Sequence, residues 1–475
     1  MGAHQSSPME VCLKAAVGGN GDLVAFPSKV LYQLQDVKPY NMDVAVHPVA
    51  VTYPKTADQV SEIVKCATAT AGYTVQPRGG GHSYANYALG GGDTSTIVVD
   101  LKNFVGFSMD TNSWEATIGG GTRLEAVTKN LLANGNRAMA HGTCPDVGIG
   151  GHATMGGLGP TSRMWGSAMD HVLEYEVVLA NSSIVKASAT KYPEVFWAMK
   201  GAGASFGIVT NFRVRTQPAP GEMVEYSYTF SGTPYTKHAQ RFKDWQTLIS
   251  NPDLSRKFAS QVVITAVGMI ISGTFFGTKA EFDALNMTSV FPDNSKADVI
   301  VFNNFLGAVA HWAEDVFLNL GALSASFYSK NLAFTKSDLI PATTIDAFFK
   351  YLDTVDKGTL IWFAIFDLEG GAINDIAPSA TAYGHRDALF YLQTYGVGIT
   401  GVTSKIRNFI TGMNDVINSG FPGKTLGAYA GYVDPALPNP QQRYFGSNLP
   451  ELERLKKVLD PKDIFHNPQS IRPAK

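Results

Sequence analysis

The stretch "QPRGGGHSYANYALGGG", residues 76–92, contains two runs of three glycines, and His82 follows directly after the first run. A second glycine-rich segment, "GTCPDVGIGGHATMGGLG", spans residues 142–159 and carries Cys144. The first segment has neither the G-x-G-x-x-G spacing of a Rossmann fingerprint nor the Gly-Lys-Ser/Thr of a Walker loop. Glycine-rich loops still cluster backbone N–H groups that hold a pyrophosphate, and they let the backbone approach a planar ring closely. Together the two segments predict a nucleotide-binding site.

The composition limits the class of protein. At 475 residues the chain exceeds what one hydrophobic core usually holds, so we expect two domains or one domain with a large insertion. The net charge of −2 argues against nucleic acid or an anionic membrane surface as the main partner, because both favour a basic protein face. The sequence contains no uninterrupted run of about 18 apolar residues, so it predicts no transmembrane helix. The ten histidines show no zinc-ligand spacing, so we expect no metal site.

The order of predicted elements indicates an α+β protein. In the first half, strands alternate with helices, of which one is predicted to begin with a capping box of Thr56 and Gln59 and another with Thr122 and Glu125. "LEYEVVLANSSIVKA" predicts a hairpin, and a proline-rich break at Pro218–Gly221 predicts the first domain boundary. Beyond the break, long aromatic-rich strands separated by helices predict a broad antiparallel sheet with helices on one side.

The three cysteines fall into two groups. Cys12 and Cys66 lie in apolar helical stretches, which suits either two buried free thiols or a disulfide between the first two helices. Cys144 is surrounded by glycines and a proline, a setting that a buried structural cysteine rarely needs. We therefore expect Cys144 to be the spare thiol and to have a chemical role.

The two glycine-rich segments resemble the flavin-attachment segments of the vanillyl-alcohol-oxidase superfamily. The similarity is to its berberine-bridge-enzyme-like branch, and within that branch to the fungal oligosaccharide oxidases, whose FAD is doubly tethered. "SFGIVTNFRVRTQPAPG" resembles the end of the family's FAD-binding region, and "RYFGSNLPELERLKKVLDPKDIFHNPQSI" resembles the C-terminal signature of the branch. The resemblance covers nearly the whole chain.

This resemblance implies a two-domain α+β flavoprotein. Residues 1–218 are expected to form the first part of an FAD-binding domain made of two α/β subdomains. Residues 219–426 are expected to form a substrate-binding domain with the broad antiparallel sheet, and residues 427–475 to return to the FAD-binding domain. The branch also commonly has a disulfide that corresponds to Cys12 and Cys66.

The resemblance further implies which residues bind the cofactor. The histidine of the first segment, His82, is expected to join the 8α-methyl group of the flavin, and Cys144 to join ring carbon C6. His152 is expected to pack against the flavin region rather than to act in catalysis. The other residues expected to bind FAD are Arg78, Gly79, Gly80, Gly81, Ser83, Gly142, Thr143, Gly148, Gly151, Val209 and Asn467.

For catalysis, the resemblance points to Tyr432 and Asp367. Oxidation of an alcohol by FAD needs a base for the hydroxyl proton, and a free tyrosine, with a pKa near 10, is a poor base at neutral pH. A neighbouring carboxylate that accepts the phenolic proton removes this difficulty. We therefore expect Tyr432, supported by Asp367, to deprotonate the C1 hydroxyl of a reducing-end sugar, which yields a lactone and, from O2, hydrogen peroxide.

The sequence says less about the substrate. Tyr84 is expected to stack on a sugar ring, and Gln261, Gln393 and Tyr429 are expected to line its site. Leu158, Phe363 and Ile365 depart from residues that can occur in the oligosaccharide oxidases, so cello-, chito-, xylo- and lactose-type substrates all stay open. The alternative function is oxidation of a secondary metabolite, namely an alkaloid, phenolic or amine, on the same scaffold.

We expect a secreted enzyme that acts as a monomer on an oligosaccharide and O2, without a nucleic-acid or membrane partner. The N-terminus has no hydrophobic run typical of a secretory signal, which is also what a mature secreted form would show. Asn181 and Asn286 begin two sequons that would then be available for glycosylation.

Overall fold

The computed structural model of the chain describes residues 7–320 and 325–475. Among the described residues, no helix combines the length and the apolar character that crossing a bilayer requires. The strands are β1 Val24–Ala25, β2 Ala50–Thr52, β3 Thr74–Arg78, β4 Thr96–Asp100, β5 Phe107–Asp110, β6 Glu115–Gly119, β7 Arg137–Ala138, β8 Val172–Leu179, β9 Ile184–Ser188, β10 Gly207–Arg215, β11 Gln217–Pro218, β12 Met223–Ser231, β13 Gln261–Thr265, β14 Gly268–Phe275, β15 Lys296–Phe302, β16 Ser326–Thr335, β17 Trp362–Leu368 and β18 Ala388–Gly398.

The α-helices lie before, between and after these strands. They are α1 Pro8–Ala16, α2 Ala57–Ala69, α3 Leu124–Ala133, α4 Ile149–Met155, α5 Ser162–Trp165, α6 Pro193–Ala202, α7 Ala239–Ser250, α8 Lys279–Asp283, α9 Met287–Val290, α10 Phe305–Leu320, α11 Ala342–Thr354, α12 Ser404–Ser419, α13 Pro440–Phe445 and α14 Leu449–Leu459.

The first sheet has four strands in the order β1-β2-β4-β3, with β2 and β3 parallel to β4. Helix α2 packs its apolar face here and begins as predicted, because the Thr56 hydroxyl accepts a hydrogen bond from the Gln59 N–H at 3.2 Å. The Gln59 side chain accepts from the N–H of Lys55 rather than from that of Thr56. The disulfide between Cys12 and Cys66 is present and links α1 to α2, which confirms the expected pairing.

The second sheet has five antiparallel strands in the order β5-β6-β10-β8-β9, and the predicted hairpin is its β8–β9 pair. The predicted capping box at α3 is wrong, because α3 begins after Arg123 without a side-chain cap. The N–H groups of Leu124 and Glu125 donate instead to the carbonyls of Val147 and Pro145, in the second glycine-rich segment. Backbone from a distant segment therefore replaces the local cap.

The third sheet is a seven-stranded antiparallel sheet in the order β15-β12-β14-β13-β17-β18-β16, as predicted. Helices α7, α11 and α12 contribute to the core on one of its faces. Because side chains alternate along a strand, the apolar residues Trp362, Ala364 and Phe366 of β17 belong to that core, while Ile365 and Asp367 line a cavity on the other face.

The expected domain limits stay a prediction, but the distribution of the elements agrees with them. Every strand of the first two sheets precedes Gln217, and every strand of the third sheet lies between Met223 and Gly398. Residues of the C-terminal segment, including Leu452, Leu455 and Ile471, belong to the core of the second sheet.

Candidate active site

A cavity of about 1420 Å³ lies between the glycine-rich segments and the face of the third sheet opposite α7, α11 and α12. This exceeds the roughly 300–1,000 Å³ of a typical small-molecule site, so the cavity has room for a large cofactor together with a substrate. The cavity wall includes residues from the first, second and third sheets and from the C-terminal segment.

The two glycine-rich segments touch each other through their backbones. A Cβ atom on Gly80 would lie 2.2 Å from the Gly148 nitrogen, and one on Gly148 would lie 2.1 Å from the Gly80 nitrogen. Arg123 Nη1 donates to the carbonyls of Gly80 and Asp146, each at 2.5 Å, and so joins the same two segments. Only glycine permits this approach, and it brings the two segments to one cavity.

Nearly all residues predicted to bind the cofactor line this cavity. The exception is the Arg78 side chain, which faces away and pairs with Asp100 while donating to the carbonyls of Asp36 and Val37. That side chain stabilises the fold, which corrects its expected role. The predicted residues that line the cavity are Gly79, Gly80, Gly81, His82, Ser83, Gly142, Thr143, Cys144, Gly148, Gly151, His152, Val209 and Asn467.

His82 and Cys144 both line the cavity, and burial shifts the pKa of each in favour of its neutral form. Burial and the nearby Arg123 lower the pKa of His82 to about 4, so its imidazole is neutral and has a free lone pair at neutral pH. Cys144 has no disulfide partner, and burial raises the pKa of its thiol. His152 accepts a hydrogen bond from the Gly142 N–H at 2.9 Å and so joins two parts of the second glycine-rich segment; that it packs against the flavin stays a prediction.

The residues of the cavity fit FAD. Gln76 Nε2 is buried in the cavity wall and has no hydrogen-bond acceptor among the described residues, so a bound polar ring would satisfy it. Next to it, Asn467 Nδ2 lies 3.5 Å from Gln76 Oε1. A Cβ atom on Gly151, which lines the cavity, would meet no atom within 4 Å, so the backbone there is open to a flat ring system.

Tyr432 and Asp367 face this site from the opposite wall. The Tyr432 hydroxyl donates to Asp367 Oδ2 at 3.2 Å. Burial raises the pKa of Asp367 to about 6, an effect that the hydrogen bond from Tyr432 partly opposes. Burial and the Asp367 carboxylate raise the pKa of Tyr432 well above its usual value. Asp367 is therefore ionised at neutral pH and oriented to receive the phenolic proton.

Asn331, on β16, positions the loop that carries Tyr432. Its Nδ2 donates to the Tyr432 carbonyl at 2.6 Å, and its Oδ1 accepts from the Tyr429 N–H at 2.7 Å. The rings of Tyr429 and Tyr84 flank Tyr432, with centroid distances of 5.1 and 6.4 Å. Sequence reasoning missed Asn331, because a single asparagine in an apolar strand carries no local signal.

The residues predicted to contact substrate line the cavity, but several are engaged with the protein. Gln393 Nε2 donates to the Tyr84 hydroxyl at 2.9 Å, and Gln261 Nε2 donates to Ser272 Oγ at 3.2 Å. The Tyr429 hydroxyl accepts from the Gly157 N–H at 3.0 Å, so Tyr429 secures the second glycine-rich segment.

An apolar cluster occupies part of the same sheet face. It comprises Val263, Phe327, Phe363, Ile365 and Tyr395, with Tyr84 packed against it.

Sequence reasoning also missed Glu369, although an acidic residue two positions after Asp367 in an apolar strand is a period-2 signal that could have identified it.

This site defines an FAD-binding oxidoreductase, and comparisons with known proteins identify its family. The family profiles "FAD binding domain" and "Berberine and berberine like" match residues 48–188 and 428–472. The FAD-linked oxidoreductase sorD of Penicillium rubens is 41% identical over 98% of this chain and 99% of its own length. The xylooligosaccharide oxidase of Thermothelomyces thermophilus is 31% identical over 92% of this chain and 90% of its own length.

Solved structures agree with these relationships. A chitooligosaccharide oxidase structure superposes with a TM-score of 0.88 and 30% identity, covering 99% of this chain and all of the other. The chain therefore belongs to the berberine-bridge-enzyme-like family of FAD-linked oxidoreductases, which includes the fungal oligosaccharide oxidases. It is an FAD-dependent oxidoreductase, as the resemblance implied.

Proposed function

We propose that this protein is an oxidase that holds FAD through two covalent bonds, to His82 and Cys144, and oxidises a CH–OH group with O2 as electron acceptor. The observation that carries the proposal is the hydrogen bond from Tyr432 to Asp367 across the cavity from the two glycine-rich segments. A glucooligosaccharide oxidase from Acremonium strictum, 28% identical with a TM-score of 0.87, carries a 6-S-cysteinyl, 8α-N1-histidyl FAD. His82 and Cys144 supply the same two chemical groups.

In this proposal, the chain's own residues handle the proton of the substrate hydroxyl. Tyr432 accepts that proton while its phenolic proton passes to the Asp367 carboxylate. FAD held beside these residues would supply the acceptor for the hydride of the substrate carbon and the route by which two electrons reduce O2 to hydrogen peroxide. Asn331 holds Tyr432 in position through its backbone carbonyl.

The first candidate substrate is the reducing-end sugar of an oligosaccharide, oxidised at C1 to the lactone. Relatives over nearly the whole chain are named as xylo-, chito- and glucooligosaccharide oxidases. Tyr84 offers a ring face beside Tyr432, and Gln261 lies directly opposite Asp367 in the β13–β17 ladder. These groups supply the stacking surface and the amide that sugar recognition uses.

The second candidate substrate is an apolar alcohol or phenol of secondary metabolism. Three members of the apolar cluster, Val263, Ile365 and Tyr395, line the cavity and favour it, because this part of the wall offers few hydrogen bonds to sugar hydroxyls. The relative with 41% identity is named as an FAD-linked oxidoreductase rather than as a carbohydrate oxidase.

Peroxide release tests the two candidates side by side. The purified holoenzyme is incubated with cellobiose, N-acetylchitobiose, xylobiose and lactose, and in parallel with benzyl alcohol and 4-hydroxybenzyl alcohol. We expect turnover with at least one sugar and a loss of about 10²-fold or more in Tyr432→Phe. Turnover of the aromatic alcohols alone would favour the second candidate, and silence with all six compounds would refute the proposed function.

Flavin fluorescence on a denaturing gel tests the double tether. We expect the protein band to fluoresce in the wild type, His82→Ala and Cys144→Ala, because either bond alone retains the cofactor. The double variant is expected to lose the signal. Fluorescence that disappears in one single variant would show that the other bond does not form.

We also propose that the enzyme is a secreted monomer. Asn181 and Asn286, which begin the two sequons, are both exposed, so both are accessible to glycosylation. When the protein is secreted from a fungal host, endoglycosidase treatment should lower its mass. Light scattering of the same sample should give the mass of one chain.

A further inference from the structure

Glu369 is a buried carboxylic acid in the wall of the active-site cavity that the reaction described above does not use. It directly follows β17, two residues after Asp367, and is 4% exposed. Its backbone is fixed on both sides, since its N–H donates to the Leu389 carbonyl at 2.7 Å and its carbonyl accepts from Arg163 Nη1 at 2.6 Å. The side chain lines the cavity that contains Tyr432.

The Glu369 carboxyl has little to stabilise a negative charge. Its Oε2 atom is buried and meets no hydrogen-bond donor among the described residues, so Oε1 is the oxygen that would reach a substrate in the cavity. Arg163 is the nearby cation, but its guanidinium donates to the backbone carbonyls of Phe258, Glu369 and Ser255. An ionised carboxylate in this position would be costly, whereas a neutral acid would not.

The surrounding groups favour the neutral form further. Burial and the neighbouring Asp367 carboxylate raise the pKa of Glu369 well above its usual range, and Arg163 only partly offsets this. Asp367, by contrast, has a direct donor in Tyr432. The titratable and charged groups whose charges couple to Glu369 are Asp367, Arg163, Tyr383, Tyr391, Tyr429 and Tyr432.

We propose that Glu369 is a neutral carboxylic acid that donates a hydrogen bond to a substrate oxygen next to the carbon that is oxidised. Glu369 and Tyr432 line the same cavity, and residues i and i+2 of an extended strand are about 7 Å apart, so Glu369 and the Asp367–Tyr432 pair can contact one sugar ring. For oxidation of a sugar at C1, that neighbouring oxygen is the C2 hydroxyl. Glu369 thereby determines specificity, and this part rests on the proposed function.

Stability measured against pH tests the neutral acid without any substrate. A group whose pKa is higher in the folded than in the unfolded state contributes stability at low pH and loses it as pH rises above the unfolded value, about 4.3 for glutamate. Glutamine keeps the shape and does not titrate. In the holoenzyme we therefore subtract the denaturation midpoint of the wild type from that of Glu369→Gln. We expect this difference to increase as the pH rises from about 4.5 to about 7.5. The surface variant Glu62→Gln is the control for removal of one charge.

A difference in midpoint that stays constant or falls as the pH rises would overturn the inference that Glu369 is a neutral acid. An infrared spectrum gives a second readout: the wild type at pH 7 should show a protonated-carboxyl C=O band that Glu369→Gln lacks and Glu62→Gln retains. Absence of that band in the wild type would also overturn the inference.

Substrate discrimination tests the contact itself. We compare kcat/KM for glucose and 2-deoxyglucose in the wild type, Glu369→Gln and Glu369→Leu. Glutamine still donates a hydrogen bond, so the ratio should change less than about 3-fold, whereas leucine should reduce it about 10-fold, mainly through KM. An unchanged ratio in Glu369→Leu would overturn the contact with the substrate. Silence of the wild type with every sugar and aromatic alcohol refutes the proposed function instead, while the stability series still decides the protonation of Glu369.

Discussion

Among single side chains, the pairing of Tyr432 with Asp367 carries the proposed mechanism. A buried phenol loses its proton less readily than a free one, because burial raises its pKa further. The contact at 3.2 Å gives its proton a destination, since the carboxylate of Asp367 accepts it as the substrate proton arrives. The pair works only while Asp367 is ionised.

The pH dependence of flavin reduction follows from this requirement. Because the pKa of Asp367 is about 6 in the folded protein, the ionised fraction and the reduction rate should both rise with pH through about 6. Asp367→Asn should lose this dependence and reduce the rate by about 10²–10⁴-fold. Anaerobic stopped-flow measurements between pH 4.5 and 8 check both points. A rate in the wild type that does not change across this range would contradict the role of Asp367.

Among the loops and helices, the contact between the two glycine-rich segments shapes the cavity. Gly80 and Gly148 leave no space for a Cβ atom, and Arg123 ties the segments together through two carbonyls. The same backbone contacts replace the side-chain cap of α3, so that helix begins where the two segments meet.

Gly148→Ala should separate the segments and reduce flavin loading by about 10-fold or more, because the new methyl group would displace backbone rather than a flexible side chain. The ratio of flavin to protein absorbance measures this loss. Gly106→Ala is the matched control, since no atom lies within 4 Å of its added Cβ. Equal loading in both variants would show that the contact is not needed.

The disulfide between α1 and α2 stabilises the N-terminal part of the fold. It closes a loop with a sequence separation of 54 residues, so its loss should lower the free energy of unfolding by about 2–4 kcal/mol. Urea unfolding of Cys12→Ser/Cys66→Ser compared with the wild type gives this difference. A reductant should destabilise the wild type and leave the double variant unchanged; an equal effect on both would contradict the assignment.

Across the whole molecule, the active site exists only because distant parts of the chain meet. Asp367 belongs to the third sheet, and Tyr432 to the segment that leads back to the core of the second sheet. Asn331 connects the two through hydrogen bonds to Tyr429 and Tyr432. The position of the base therefore depends on how the C-terminal segment packs against β16.

Asn331→Ala should release this segment and reduce kcat by about 10-fold or more, because small displacements of a catalytic group are costly. Its denaturation midpoint should also fall, since two buried hydrogen bonds are lost. Asn414→Ala is the control, because it removes a buried asparagine of α12 that donates to Thr394. It should lower the denaturation midpoint without displacing Tyr432. Similar kcat in both variants would contradict the positioning role of Asn331.

Local patterns in the sequence were sufficient for several features. The Thr56 cap, the β8–β9 hairpin and the antiparallel third sheet follow from short-range propensity and periodicity. The resemblance supplied the family, the disulfide and the candidate site residues, because it compares whole motifs rather than single elements.

Long-range packing settled the rest. Tyr432 and Asp367 are separated by 65 residues, and Asn331 and Tyr429 by 98, so no period or propensity connects them. The same holds for the start of α3, where backbone from another segment replaced a local cap, and for Arg78, whose side chain found partners away from the cavity. Local energies specify elements, whereas contacts between elements depend on which surfaces burial brings together.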